Sequence, residues 1–210
     1  MKVPSLTSKS TSSPSQIVAA FDFDGTITTS DSLRHFLLYL LGSKRFILTA
    51  IRSLPTLIAF KLGFIHNEEA KVRILNRVIR GWTREKLEAE GKKFAEQKLN
   101  QICRPNALDK IRWHQEQGHT LVLVSASVET YLQPWCNVMG FDKCCCTRLE
   151  FVDGKATGNL SGKNCWGAEK AARLKEVFGD LGAIELYAYG DTRGDREMLE
   201  AATHSFYRTF

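Results

Sequence analysis

AAFDFDGTIT, residues 19–28, sets two aspartates one residue apart at the end of an apolar run. On an extended strand alternate residues face the same side. Asp22 and Asp24 therefore repel each other, and more strongly as the site is buried. A divalent cation is the obvious compensation. The preceding IVAAF is continuously apolar, as expected of a strand covered on both faces. Two later stretches repeat the pattern. GHTLVLVSAS (118–127) runs from a turn glycine through an apolar strand to small polar residues, and AIELYAYGD (183–191) ends on Gly190-Asp191. Helical patterns occupy NALDKIRWHQEQ (106–117), VETYLQPWCNVM (128–139), GAEKAARLKEVFG (167–179) and RGDREMLEAA (193–202). Strands alternating with helices predict an α/β fold with a Rossmann-like parallel sheet and helices on both faces. Ligands bind such sheets at the carboxyl ends of the strands, where FDFDG, VSAS and YGD all fall.

Outward from these strands the chain divides. Residues 1–16 are polar and rich in Ser and Thr, and are expected to form a disordered tail. Residues 17–30 and 101–210 form the α/β core. Residues 31–100 read as helix upon helix, with breaks at Gly42, Pro55, Gly63 and Gly81, and are expected to form an inserted small α-helical cap. CCCTRLEFVDGKATGNLSG (144–162) reads as a strand, an Asp153-Gly154 turn and a second strand. HSFYRTF (204–210) supplies a final edge strand.

The 210 residues are 43% hydrophobic and 25% charged, the composition of a soluble globular protein, with a net charge of +6. That charge favours phosphate esters, acidic headgroups or nucleic acid. Nucleic acid is not expected, because neither an aromatic platform nor a reading helix is evident. Six cysteines are present and no secretory signal precedes the core, so the thiols are expected to be reduced and the protein cytoplasmic. Adjacent residues Cys144, Cys145 and Cys146 alternate faces on a strand, and no CxxC pair accompanies them. They read as small buried apolar residues rather than a metal site.

Taken singly, the polar residues have plain readings: Asp24-Gly25 as a turn, Asp191 and Asp195 as helix-capping residues, Lys170 as a solvated helix residue with Lys163 as its rival. Taken together and in order, Asp22-Phe23-Asp24-Gly25-Thr26, Ser125 after LVLV, Lys170 in GAEKAARL, and Gly190-Asp191 with Asp195 resemble the four motifs of the haloacid dehalogenase superfamily of phosphohydrolases. The resemblance covers nearly the whole chain after the tail. It implies an aspartyl-phosphate mechanism, with Asp22 as nucleophile and Asp24 as general acid and then base. It implies Mg²⁺ held by the carboxylates of Asp22 and Asp191 and the backbone carbonyl of Asp24, with Asp195 steadying the metal site or the lysine. Ser125 and Lys170 would contact the transferring group. Phe23, Thr26, Ala126, Ser127 and Asp31 would complete the substrate site, largely through backbone N–H groups.

An insertion between the first and second motifs resembles the branch with helical caps that includes phosphoserine phosphatases. Those enzymes carry acidic residues after the first motif to grip an amino acid, whereas Asp31 stands alone here. The apolar insertion, SAS in the second motif and NCWGAEKAARL resemble a bacterial subgroup that includes a phosphatidylglycerophosphate phosphatase. The implied substrate is a phosphate monoester of lipid or amphiphilic character. The alternatives are a small phosphorylated metabolite or a catalytically silent phosphate-binding role. Residues 36–65 are mostly apolar, with Lys44, Arg45, Arg52 and Lys61 interspersed. Arg52, Pro55 and Lys61 argue against a spanning helix, which needs about 20 predominantly apolar residues. Three readings stand side by side: a helical hairpin in the membrane interface, buried cap helices, or a contact between subunits. Apolar helices facing the mouth of the site would favour a lipid, and a closed polar pocket would favour a metabolite.

Overall fold

The computed structural model describes residues 16–210, so residues 1–15 of the expected tail lie outside the described residues, while the Gln16 carbonyl already accepts from the Glu185 N–H at 3.1 Å. Five strands form the main sheet: β1 (Ile17–Phe21), β2 (Thr120–Val128), β3 (Lys143–Thr147), β6 (Glu185–Gly190) and β7 (His204–Tyr207). Their spatial order is β3-β2-β1-β6-β7, and every pairing is parallel. Alternate residues of β1 enter opposite cores. Ala19 and Phe21 face one cluster with Leu121, Leu123 and Tyr189, while Val18 and Ala20 face another with Val122, Val124 and Met198. Two-sided burial is what makes the strand sequences continuously apolar. Helices α4 (Pro105–Glu116), α5 (Glu129–Met139), α6 (Ala168–Phe178) and α7 (Arg196–Glu200) complete the α/β frame. The order reverses around β1, with β2 on one side and β6 on the other. This is the switch point at which a crevice opens beyond the strand ends.

Between β1 and β2 the chain forms α1 (Ser32–Lys61), α2 (Asn67–Ile79) and α3 (Arg84–Gln97). Asp31 caps α1 by accepting from the Arg34 N–H at 2.8 Å. Two expectations need correction. Pro55 does not break the helix: α1 continues through it, and the break falls at Gly42, where φ is 68° and ψ 164°. Proline removes one helical hydrogen bond, to the carbonyl of Ile51. Both residues are exposed, so water can satisfy that carbonyl. The cysteine run also belongs elsewhere. Lys143–Thr147 joins the main sheet beside β2, and the hairpin is a separate pair, β4 (Leu149–Val152) and β5 (Lys155–Leu160). Cys144 and Cys146 lie side by side, their sulfurs 3.0 Å apart, while the Cys145 carbonyl accepts from the Cys165 thiol at 3.2 Å.

The hairpin packs on the inserted helices. Ala156 exchanges backbone hydrogen bonds with Gly81 and Trp82, each 2.8 Å. A side chain at Gly158 would strike the backbone of Asn76. On the other side α3 sits directly on α5, since a β-carbon at Gly91 would lie 2.3 Å from the Thr130 carbonyl oxygen. Phe36, Phe94 and Tyr131 join α1, α3 and α5 in one buried aromatic group, each contributing about 1.5–3 kcal/mol by burial. The inserted helices thus share a core with the sheet layer and hold the start of α1 against the strand ends.

Candidate active site

The strand register brings the motifs together. Phe21 pairs with Leu123 on one side and Tyr189 on the other. Asp22 and Asp191 therefore follow directly on the ends of β1 and β6, beside Ser125 in the carboxyl-terminal part of β2. The backbone turns sharply after Asp22 through Gly25, where φ is +86°. This position needs glycine twice over: the conformation is left-handed, and a β-carbon would lie 2.3 Å from Asp191 Oδ2.

Lys170, projecting from α6, donates to both Asp22 Oδ1 and Asp195 Oδ1, the latter at 2.5 Å, and all three side chains are buried. Lys163, its rival in the sequence, is exposed. Burial by itself would lower the lysine pKa, but Asp22 and Asp195 outweigh it and raise it, so the ammonium persists. Asp195 Oδ2 accepts from the N–H groups of Asp191 and Thr192 and from the Thr192 hydroxyl. With both oxygens engaged, Asp195 fixes the lysine and the Asp191 loop. The single Thr26 hydroxyl proton is shared between Asp22 Oδ2 at 3.2 Å and Asp191 Oδ1 at 3.1 Å. Thr26 brackets the two carboxylates instead of lining the cavity.

Asp24 is held differently. Its Oδ1 accepts from the Ser32 N–H at 2.7 Å and its Oδ2 from the Ser127 hydroxyl. Ser32 in turn bonds the Tyr131 hydroxyl at 2.9 Å. The first residue of α1 thus positions this carboxyl group. Burial raises its pKa, the neighbouring Asp31 adds to the rise, and the hydrogen bonds from Ser127 and Ser32 oppose it. Burial likewise raises Asp22 to about 7, against the lowering pull of Lys170. Ser125 Oγ accepts from the Ser127 N–H at 3.0 Å, which leaves its own proton free to donate.

Asp22, Asp24, Ser125, Ala126, Ser127 and Lys170 border one cavity of about 170 Å³, with Asp31 at its rim. Phe23 is expected to serve through its backbone N–H. Its side chain is fully buried against Trp135, 4.9 Å between ring centroids, so only its backbone can meet a ligand. The sequence reading missed Lys71. From α2 it donates to the Ala126 carbonyl at 2.6 Å and to Asn164 Oδ1 at 2.7 Å, and it borders the same cavity. Burial lowers its pKa to about 8, against the raising effect of Asp24 and Asp31. Nothing in NEEAKV distinguishes it from a solvated helix lysine. Trp166 and Asn67 also border the cavity. Trp166 is seated over Gly194, where a β-carbon would fall 2.3 Å from its indole nitrogen.

The donor set suits a hard divalent cation. Oxygens of Asp22, Asp191 and Asp195 lie within 4.8 Å of one another. Three carboxylates (Asp22, Asp191 and Asp195) converge there on the single ammonium of Lys170, so a cation would offset the excess negative charge. All-oxygen ligation is what Mg²⁺ takes. Asp24 turns its side chain toward Ser32 and Ser127, leaving its backbone carbonyl as the group it could offer.

A second cavity, of about 400 Å³, adjoins the first. Asp31, Leu33 and Lys71 border both. Beyond them its wall is mainly apolar, built from α1 (Leu37, Leu41, Phe46, Leu57) and α2 (Ile74, Val78).

Comparison with known proteins agrees with this arrangement. Residues 19–200 match the family model of the haloacid dehalogenase-like hydrolases. The chain is 37% identical over 196 residues to protein CicA of Caulobacter vibrioides, covering 92% of this chain and 86% of that protein. It is 29% identical over 215 residues to a probable phosphatase of Mycobacterium tuberculosis, covering 97% and 72%. Its fold resembles that of a phosphoserine phosphatase solved as an analogue of its phospho-aspartyl intermediate, with a TM-score of 0.59 at 17% identity over 90% of this chain and 84% of that one. The chain belongs to the haloacid dehalogenase-like hydrolases.

Proposed function

We propose that this protein hydrolyses phosphate monoesters whose leaving group is lipid or otherwise amphiphilic, through an aspartyl-phosphate intermediate and with Mg²⁺ as cofactor. One observation carries the reading: the cavity bounded by Asp22, Asp24, Ser125 and Lys170 shares its Asp31, Leu33 and Lys71 wall with the larger apolar cavity. A phosphoryl group in the first would send its leaving group toward the second. A small polar ester would leave that apolar space unused.

The steps follow from the side chains. Asp22 attacks phosphorus, forming an acyl phosphate, while Asp24 gives its proton to the departing oxygen. The raised pKa of Asp24 suits it to arrive protonated. Water then attacks the phosphorus, Asp24 accepts its proton, and Asp22 is restored as phosphate leaves. Lys170 orients Asp22 and contributes positive charge beside the transferring group, and the free Ser125 proton donates to a phosphoryl oxygen. The backbone N–H groups of Phe23 and Ala126 would complete the cradle. Mg²⁺, held by Asp22, Asp191 and the Asp24 carbonyl, would supply neutralisation of the phosphoryl oxygens. The inserted helices act as a cap that excludes water and selects the leaving group.

The test is phosphate release with Mg²⁺ across phosphatidylglycerophosphate, lysophosphatidate, phosphoserine and sugar phosphates. Selective turnover of the first two is expected. Selective turnover of a soluble ester would overturn the lipid assignment while leaving the phosphatase.

A further inference from the structure

The half of α1 beyond Gly42 has two unlike faces. One carries Phe46, Ala50, Ser53 and Leu57 into the wall of the apolar cavity. The other carries Ile47, Ile51, Leu54 and Ile58, at helical spacing, out to solvent, and Leu62 and Phe64 extend the stripe past the end of the helix. Phe64 is 79% exposed. Among the described residues, nine of the fifteen exposed large hydrophobic side chains fall within residues 47–64. The concentration marks this face as a contact surface rather than scattered surface residues.

Charge identifies the partner. Lys44, Arg45, Arg52 and Lys61 accompany the stripe and are exposed, and no acidic residue occurs between Asp31 and Glu68. On a helical projection Lys44 and Lys61 flank the stripe, roughly 50° to either side of its centre, while Arg45 and Arg52 lie farther around the helix, roughly 130–150° from it. A second copy of this chain paired through the stripe would set these cations against their own counterparts with no acid of the segment to neutralise them. An anionic bilayer meets both requirements, apolar depth for the stripe and acidic headgroups for the cations. Among the described residues no helix is long and apolar enough to cross a membrane, so the contact would lie in the plane of the surface.

We infer that the second half of α1 docks on the surface of an anionic lipid bilayer, stripe inward, with the cavity on the adjoining face of the same helix, roughly a right angle around from the contact. The inference rests on surface geometry and stands apart from the choice of substrate. It is tested by flotation of the full chain with phosphatidylcholine vesicles made with and without phosphatidylglycerol. The protein should float with the phosphatidylglycerol vesicles and much less with phosphatidylcholine alone. Ile51→Asp with Ile58→Asp should abolish flotation, and Lys44→Glu with Lys61→Glu should weaken it about tenfold or more, since each surface cation contributes to binding. Both variants should keep wild-type turnover of a water-soluble short-chain phosphate ester, which shows that they fold. Three results would each overturn the inference: absence of wild-type flotation on either vesicle, flotation of both variants at the wild-type level, or a solution dimer that Ile51→Asp converts to monomer without any vesicle binding. Because binding is read separately from turnover, failure here would leave the phosphatase reading intact, and the reverse.

Discussion

Two cavities meet at Asp31, Leu33 and Lys71, and they are built by opposite means. The polar one lies at the ends of three parallel strands. Its reacting groups are fixed by further contacts: Lys170 by two aspartates, Asp24 by Ser32 and Ser127, Asp22 by Lys170 and Thr26. The apolar one is lined mainly by aliphatic and aromatic side chains of helix faces, which packing holds in place. Chemistry demands placement within a fraction of an ångström, which rigid strand ends and buried hydrogen bonds supply. Leaving-group selection demands only volume and apolarity, which a helix pair can supply and vary. The contrast teaches that one wall, carrying Lys71, joins a site for reaction to a site for recognition.

Substitutions can break one cavity and spare the other. The largest effect is expected in the polar cavity. Asp22→Asn should lower kcat by roughly a thousandfold or more for every ester, because it removes the attacking oxygen. Circular dichroism should show the fold retained. Turnover near the wild-type rate would remove Asp22 from its role. Lys170→Met should lower kcat/KM about a hundredfold or more, again regardless of leaving group, as steady-state kinetics would reveal. Ala50→Trp acts in the apolar cavity. It should lower kcat/KM for long-chain esters about tenfold while leaving short-chain esters near wild type, since only the former need that space. Equal losses on both would mean that the two cavities do not divide the labour.

The smallest effect concerns the shared wall. The Lys71 ammonium carries its charge below about pH 8 and loses it above. Attraction for a phosphate dianion is therefore present on the acid side and declines as pH rises through that value. KM should rise a few-fold between neutral and alkaline pH, and Lys71→Met should flatten this limb. A KM profile identical in the variant would detach Lys71 from substrate binding.

These cavities also differ in how far they were legible in the sequence. Asp22, Asp24, Ser125, Lys170 and Asp191 stood out because each follows an apolar strand or sits in a short motif, and strand register then brings them together. The parallel sheet was legible for the same reason. Lys71 was not, since its role depends on how α2 lies over the Ala126 carbonyl, a relation no local pattern encodes. Nor was the division of the cysteine segment into three strands, because the change of partner at Arg148 is set by tertiary pairing. Helix breaks were legible at the glycines, since Gly42, Gly63 and Gly81 all turn the chain at positive φ, whereas Pro55 was tolerated where its freed carbonyl faces water. The apolar residues of α1 could be read as core, as cavity wall or as exposed surface. The structure assigns them to all three, by position along and around the helix.

The central claim is that catalysis at the carboxylates is coupled to recognition in the apolar cavity. The most direct measurement is kcat/KM for a series of alkyl phosphates differing only in chain length, below their aggregation limit and with Mg²⁺ present. The account predicts a rise of about fourfold per methylene, from about 0.8 kcal/mol each, until the cavity is filled and the profile levels off. A flat profile, or one that falls with chain length, would contradict it.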